Sequence, residues 1–135
     1  MSVTPQTPTR DYLISPDADF VDIVYLTDNG AALDMTGKEL LVYVWRADTE
    51  AAVKTLTSGD GLTIGSADTI PVDEGQASLG IGLRVVMRIT EAEIQAALPP
   101  RGGWRYLTIR RNSSDGSDPE SLVMGQIAFM AGRPR

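Results

Sequence analysis

Short apolar runs separated by turn-forming residues make up most of this sequence, which is the pattern of an all-β chain. One run, 77–83, alternates strictly between apolar residues and serine or glycine, as a strand with one buried face does. Another, 40–46, is apolar on both faces, as expected of a strand buried between two layers. The pattern predicts strands at 20–26, 40–46, 53–57, 62–64, 77–83, 104–110 and 122–130.

One short helix interrupts the strands. Thr90 and Glu93 stand at the spacing of a capping box, in which the threonine hydroxyl accepts the amide of the glutamate and the glutamate reaches back. Pro99 and Pro100 then prevent the helix from continuing. We therefore predict a helix at about 91–98, too short to be stable alone and packed on the sheet.

The predicted fold is all-β, an antiparallel sandwich or small barrel of six to seven strands with this one helix. At 135 residues the chain is expected to form a single domain. Residues 1–16 hold three prolines and little to bury, which favours an extended N-terminal arm. The prediction is thus an arm at 1–16, a β domain at 17–131 and a C-terminal tail at 132–135.

Composition narrows the chemistry. The chain has no cysteine and no histidine, which excludes thiolate metal sites, thiol nucleophiles and Ser-His-Asp catalysis. The net charge of −6 argues against nucleic acid or an anionic membrane as the main partner. We predict that the protein is not an enzyme and has no catalytic, cofactor-binding or metal-binding residues.

Two local patterns allow a functional and a structural interpretation. Trp104 and Tyr106 lie near several arginines and could stack on single-stranded nucleic acid, but aromatic residues in such a strand are better used in a core. The segments 113–120 and 15–22 are rich in oxygen ligands that could bind calcium, but neither has the spacing of a calcium loop. We favour the structural interpretation of both: a core strand and solvated turns.

Charge is distributed unevenly along the chain. Residues 1–80 carry a net charge of −9 and residues 81–135 a net charge of +3. One acidic and one basic region would suit head-to-tail contact between copies or with a lattice, unless the fold interleaves the two halves.

The two ends are predicted to contact partners. Tyr12, Leu13 and Ile14 form the only sizeable apolar cluster of the N-terminal arm, and we expect them to anchor it on a neighbouring chain. Arg133 and Arg135 in the C-terminal tail are further candidates for partner binding.

Turn and cap residues recur in a defined order along the chain, namely Asn29-Gly30, Asp34-x-Thr36-Gly37, Arg46, Thr90, Gly103-Trp104-x-Tyr106 and Asp115-Gly116. This order resembles that of small all-β structural domains of tailed bacteriophages, similar to the N-terminal domain of lactococcal-type upper baseplate proteins. The resemblance covers about 19–133.

The resemblance implies a virion structural protein, assembled in the host cytoplasm. We favour a head decoration or cement protein that binds the major capsid protein and self-associates into a homo-oligomer or lattice. One alternative is a tail or baseplate accessory or adaptor protein. Another is a carbohydrate-binding adhesion module with Trp45 or Trp104 as the stacking residue.

Overall fold

The computed structural model describes residues 8–72, 80–99 and 102–131. Within these residues it contains nine strands and one helix. In chain order they are β1 Tyr12–Ile14, β2 Phe20–Asp28, β3 Ala31–Ala32, β4 Lys38–Arg46, β5 Ala52–Ser58, β6 Gly61–Thr69, β7 Ile81–Ile89, α1 Glu91–Ala96, β8 Trp104–Asn112 and β9 Glu120–Phe129.

The strands form one curled, mixed sheet in the order β1-β9-β8-β4-β5-β6-β7-β2-β3, a half-barrel. The all-β class is as predicted, but the strand number and the purely antiparallel arrangement are wrong. The structure has nine strands, and the β1–β9 and β5–β6 pairs are parallel. Two of the strands, β1 and β3, have only three and two residues, which is too short to produce an alternating pattern.

The pairing between β5 and β6 is short and parallel. These strands share only two residue pairs, Thr57 with Gly61 and Ser58 with Leu62. A side chain at position 61 would collide with Leu56, and Gly61 also has a φ of +92°. Glycine at this position therefore lets the chain turn from one half of the half-barrel into the other.

The core fills the inside of the curl. On one half, Leu40, Val42 and Val44 of β4 face inward, and on the other half Val85 and Met87 of β7 do so. Alternate residues of each strand thus supply one continuous apolar core, which is what the period-2 pattern predicts.

Helix α1 packs on this core through Ile94, which is fully buried. The predicted capping box is confirmed: the Glu93 amide donates to the Thr90 hydroxyl, and the Thr90 amide donates to the Glu93 carboxylate. The helix ends at Ala96, two residues before the predicted end at 98. Glu93 also pairs with Lys54 of β5, which holds the helix N-terminus against the sheet.

The N-terminal segment belongs to the sheet. The Arg10 amide donates to the Met124 carbonyl and the Met124 amide to the Pro8 carbonyl, and beyond them β1 pairs in parallel with β9. The predicted boundary at residue 16 is therefore not a boundary of the sheet. Residues 1–7 of the predicted arm and the predicted tail at 132–135 lie outside the described residues.

The strand predicted at 77–83 is displaced. Strand β7 runs from Ile81 to Ile89, and residues 77–79 lie outside the described part of the chain. After residue 83 apolar side chains lie on both faces of β7: Val85 is buried, and Val86 on the opposite face is half-buried. This part of the sequence therefore lacks the strict alternation that marked 77–83.

We predict that Gly125→Ala detaches the N-terminal segment from β9. A Cβ atom at position 125 would lie well inside van der Waals contact with the Arg10 carbonyl oxygen. Forced contacts of this kind cost roughly 1–3 kcal/mol. Thermal melting should show the loss, and hydrogen exchange should accelerate at the Arg10 amide. The exposed Ser121→Ala on the same strand is the control, and an unchanged melting temperature for Gly125→Ala would contradict the prediction.

We predict that Thr90→Ala destabilises the protein by about 1 kcal/mol, because it removes the hydroxyl that accepts the Glu93 amide. Urea denaturation followed by circular dichroism measures the change. Thr90→Ser keeps a capping hydroxyl and should remain close to the natural protein. Equal losses in the two variants would show that the cap is not the cause.

Candidate functional site

A polar cluster joins the two ends of the curled sheet. The Tyr12 hydroxyl of β1 donates to the Asp22 carboxylate of β2 at 2.5 Å, and the Arg10 guanidinium lies 3.1 Å from the same carboxylate. The Tyr106 hydroxyl donates to the Arg10 carbonyl. We call Arg10, Tyr12, Asp22 and Tyr106 the closing cluster, because β1 ends the strand order on one side and β2 lies next to the terminal strand β3 on the other.

Aromatic contacts support the closing cluster from the core side. The Tyr12 ring meets Phe20 edge-on with centroids 5.0 Å apart, and it lies 5.7 Å from the ring of Tyr106. The Arg10 guanidinium lies 5.4 Å from the centre of the Tyr12 ring. Tyr12 is therefore fixed on both sides of its ring as well as at its hydroxyl.

The electrostatics of the cluster keep both phenols neutral. Burial, and then the hydrogen bond to Asp22, raises the pKa of Tyr12 far above its ordinary value. Burial raises the pKa of Tyr106 to about 12. Neither group is shifted towards neutral pH, where a catalytic base works, so both act as hydrogen-bond donors.

Lys54 is also held in its charged form. Its ammonium group pairs with Glu93 and lies 3.0 Å from the Asp60 carboxylate. The hydrogen bond to Glu93 is the main cause that raises the pKa of Lys54. An amine nucleophile needs the opposite shift, so Lys54 serves as an ion-pair partner of the helix.

A small cavity of about 120 Å³ lies between the two halves of the sheet. Its wall includes Arg10, Tyr12 and Tyr106 together with apolar core residues such as Val24 and Val85. The volume is below the range of about 300–1,000 Å³ that is usual for ligand pockets. Within the described residues no fully buried side-chain nitrogen or oxygen lacks a hydrogen-bond partner.

Of the five residues predicted to bind partners, two are packed within the fold, one is exposed, and two lie outside the described residues. Tyr12 and Ile14 pack inside the chain itself, as the closing cluster and the 7% exposure of Ile14 show. Leu13 points outward and is 65% exposed, and its partner-binding role stays a prediction. Arg133 and Arg135 lie outside the described residues.

Trp104 does not form a stacking surface. It is 0% exposed, its indole N–H donates to the Ala97 carbonyl at 3.1 Å, and its ring meets Phe129 edge-on. The interpretation of 104–110 as a core strand is confirmed. Trp104 is thereby excluded as the sugar-stacking residue, whereas Trp45 on the outer face of β4 is only half-buried.

The arginines of β8 do not gather into one patch. Arg110 pairs with Glu120, and Arg111 pairs with Glu39, each at 2.6 Å. Arg105 is exposed on the face opposite Trp104, and Arg101 lies outside the described residues.

The charge asymmetry along the chain is lost in the fold. Strand β7 of the basic half lies between β6 and β2 of the acidic half. Strands β8 and β9 of the basic half lie together between β4 and β1 of the acidic half. Ion pairs join the halves directly, as between Arg111 and Glu39 or Arg88 and Asp19. Of the two alternatives that the sequence left open, the described residues therefore favour a fold that interleaves the acidic and the basic half.

The acidic turns use their carboxylates locally. Asp115 accepts from the backbone and hydroxyl of Ser117, and Asp19 accepts from the Glu91 amide and from Arg88. Across the residues that the structure describes, no group of three or more carboxylates is arranged to hold a metal ion. None of the helices described there is long and apolar enough to cross a membrane.

The outer surface of β2, β6 and β7 combines apolar and basic side chains. Val21 is 54% exposed and Ile23 is 40% exposed, and both lie on the side of β2 that faces away from the core. We call this surface the apolar–basic face; its residues are Val21, Ile23, Tyr25, Thr63, Arg84, Val86 and Arg88.

Neither the closing cluster nor the apolar–basic face was found in the sequence. A signal for the first was present, because Asp22 is a charged residue in the middle of the inward side of β2, between the apolar residues Phe20 and Val24. A signal for the second was the apolar character of the other side of the same strand. A strand that is apolar on both sides is expected to be covered on both of its faces.

A scan against models of known protein families found no match, and a search of curated proteins found no significantly similar sequence. The resemblance to phage structural domains therefore stays a prediction.

We predict that the closing cluster makes the protein sensitive to alkali. The folded-state pKa of Tyr106 is about 12, whereas an unfolded tyrosine ionises near pH 10. The stabilisation is therefore complete below about pH 10 and is lost as the pH rises through about 12. A titration followed by tyrosinate absorbance should show a step near pH 12 that Tyr106→Phe removes. Ionisation of Tyr106 near pH 10 in the folded protein would contradict this.

Proposed function

We propose that this protein is a non-enzymatic structural protein of a tailed-phage particle, a head decoration protein that binds the capsid surface. The apolar–basic face is the observation that carries the proposal. Exposed apolar side chains that are grouped on one surface are typical of contacts between proteins. The buried polar groups described above, in contrast, hold the sheet together.

The residues that carry the phage resemblance support a role in shape. Gly30, Gly37 and Gly116 have φ angles of +80°, +69° and +71°, and Asn29 also has a positive φ of 51°. Each of these positions favours glycine or asparagine because the chain turns there. The shared pattern thus specifies where strands end, which is what a particle-building domain needs.

A tail or baseplate accessory role uses the same surface and is the first alternative. A carbohydrate-binding role has one observation in its favour. Tyr43 and Trp45 lie two residues apart on the outer face of β4, both half-buried, with Arg105 opposite Trp45. Aromatic and polar groups on a flat sheet face can hold a sugar ring, and binding of the protein to a glycan array would support this role.

We predict saturable co-sedimentation of the purified protein with phage heads assembled without it. Separated tails and baseplates from the same particles are the control, and the protein should not sediment with them. Binding to tails alone would support the accessory role instead. Binding to neither would contradict a virion role.

A further inference from the structure

We propose that the apolar–basic face binds an acidic segment of a partner protein, with an apolar side chain of that segment held beside Val21 and Val86. Carboxylates of the segment pair with Arg84 and Arg88. This inference rests on the proposed attachment role and names the surface and the chemistry of the partner.

The apolar centre of the face is formed by β2 and β7 and borders on Thr63 of β6. Ile23 of β2 is directly opposite Val86 of β7, which is in turn opposite Thr63 of β6. Val21 extends the apolar area along β2. Because Val21 and Ile23 are each at least 40% exposed, burial against a partner removes substantial apolar surface from water.

A shallow groove of about 310 Å³ gives this area a shape. It is lined by Val21, Thr63, Val86 and Arg88, and by Gly59 and Gly61 at the turn between β5 and β6. A Cβ atom at Gly59 would meet nothing within 4 Å, so this side of the groove is open space. The groove can therefore receive a side chain that projects from a partner.

The charges of the face point to the chemistry of that partner. Arg84 and Arg88 lie on the same side of β7. Arg88 pairs with Asp19 at the corner, and Arg84 has no ion-pair partner among the described residues. The face is thus basic although the chain carries a net charge of −6. Carboxylates on the partner complement both guanidinium groups.

The same charges argue against a second copy of the chain, nucleic acid and anionic lipid as occupants. A second copy that docked through the same face would place arginines opposite arginines, which is unfavourable. Nucleic acid and anionic lipid attract larger basic clusters, whereas two arginines flank an aliphatic centre here. An acidic protein segment satisfies the apolar and the charged parts together.

Two variants test the face without disturbing the core. Thr63→Tyr places a ring in the groove at an exposed strand position, where tyrosine is well tolerated. Thr55→Tyr makes the same change at an exposed position of β5, outside the groove, and is the matched control. Arg84→Glu reverses the unpaired charge.

The probe is a synthetic peptide of alternating valine and glutamate with blocked ends, titrated into the isotope-labelled full chain and followed by NMR. We expect saturable shifts of the amides of β2 and β7 around Ile23 and Val86. Thr63→Tyr and Arg84→Glu should each weaken binding about tenfold or more, and Thr55→Tyr should not. A valine–lysine peptide and a serine–glutamate peptide should bind much more weakly.

Several results would overturn the inference. They are the absence of shifts, shifts on another surface, equal binding of the valine–lysine peptide, or concentration-dependent dimerisation through this face. Stronger binding of anionic vesicles or of a DNA oligonucleotide, abolished by Arg84→Glu, would assign the face to those partners instead.

The head-binding assay separates this inference from the proposed function. If heads bind the protein and Thr63→Tyr binds equally well, the virion role holds and the apolar–basic face is not the attachment surface. If heads bind neither protein, the virion role fails. The peptide titration then still decides what the face recognises.

Discussion

The hydrogen bond from Tyr12 to Asp22 closes a sheet that its backbone leaves open. Strand β1 ends the strand order on one side, and β2 lies next to the terminal strand β3 on the other. The two strands share no backbone pairing, yet they meet through these two side chains. The core depends on this contact, because a curled sheet encloses its interior only if its ends come together. Asp22 is polar on an inward face, and it is tolerated there because Tyr12 and Arg10 satisfy its carboxylate.

A second set of contacts holds the opposite side of the core. The helix is anchored by buried Ile94, by the Lys54–Glu93 ion pair and by the indole of Trp104, which donates to a carbonyl just after the last turn. Polar groups thus hold the helix on the sheet, in addition to the two ends of the half-barrel. The surface that remains distinctive is apolar and basic, and it lies on the outside of the sheet.

Sequence periodicity identified β2, β4, β5, β8, β9 and the capped helix because those signals are local, whereas it found only 62–64 of β6 and 81–83 of β7. The strand at 40–46, the box at Thr90 and the core position of Trp104 each follow from residues a few positions apart. The parallel pairing of β1 with β9 does not, since three residues carry no readable period and their partner lies at the far end of the chain. The apolar–basic face was missed for a related reason: which side of β2 faces out depends on the whole curl.

The place of β1 also fixes an order of events during folding. Asp11 accepts the amide of Gln126, and these residues are 115 positions apart. A chain emerging from the ribosome can pair β2, β6 and β7 early, but its first strand has no docking site until the last strand has been made. Contacts of such high sequence separation form late. Until β9 has been made, β1 and the edge of β8 that pairs with β9 stay unpaired, so an incomplete chain is the form most prone to pair wrongly with its neighbours.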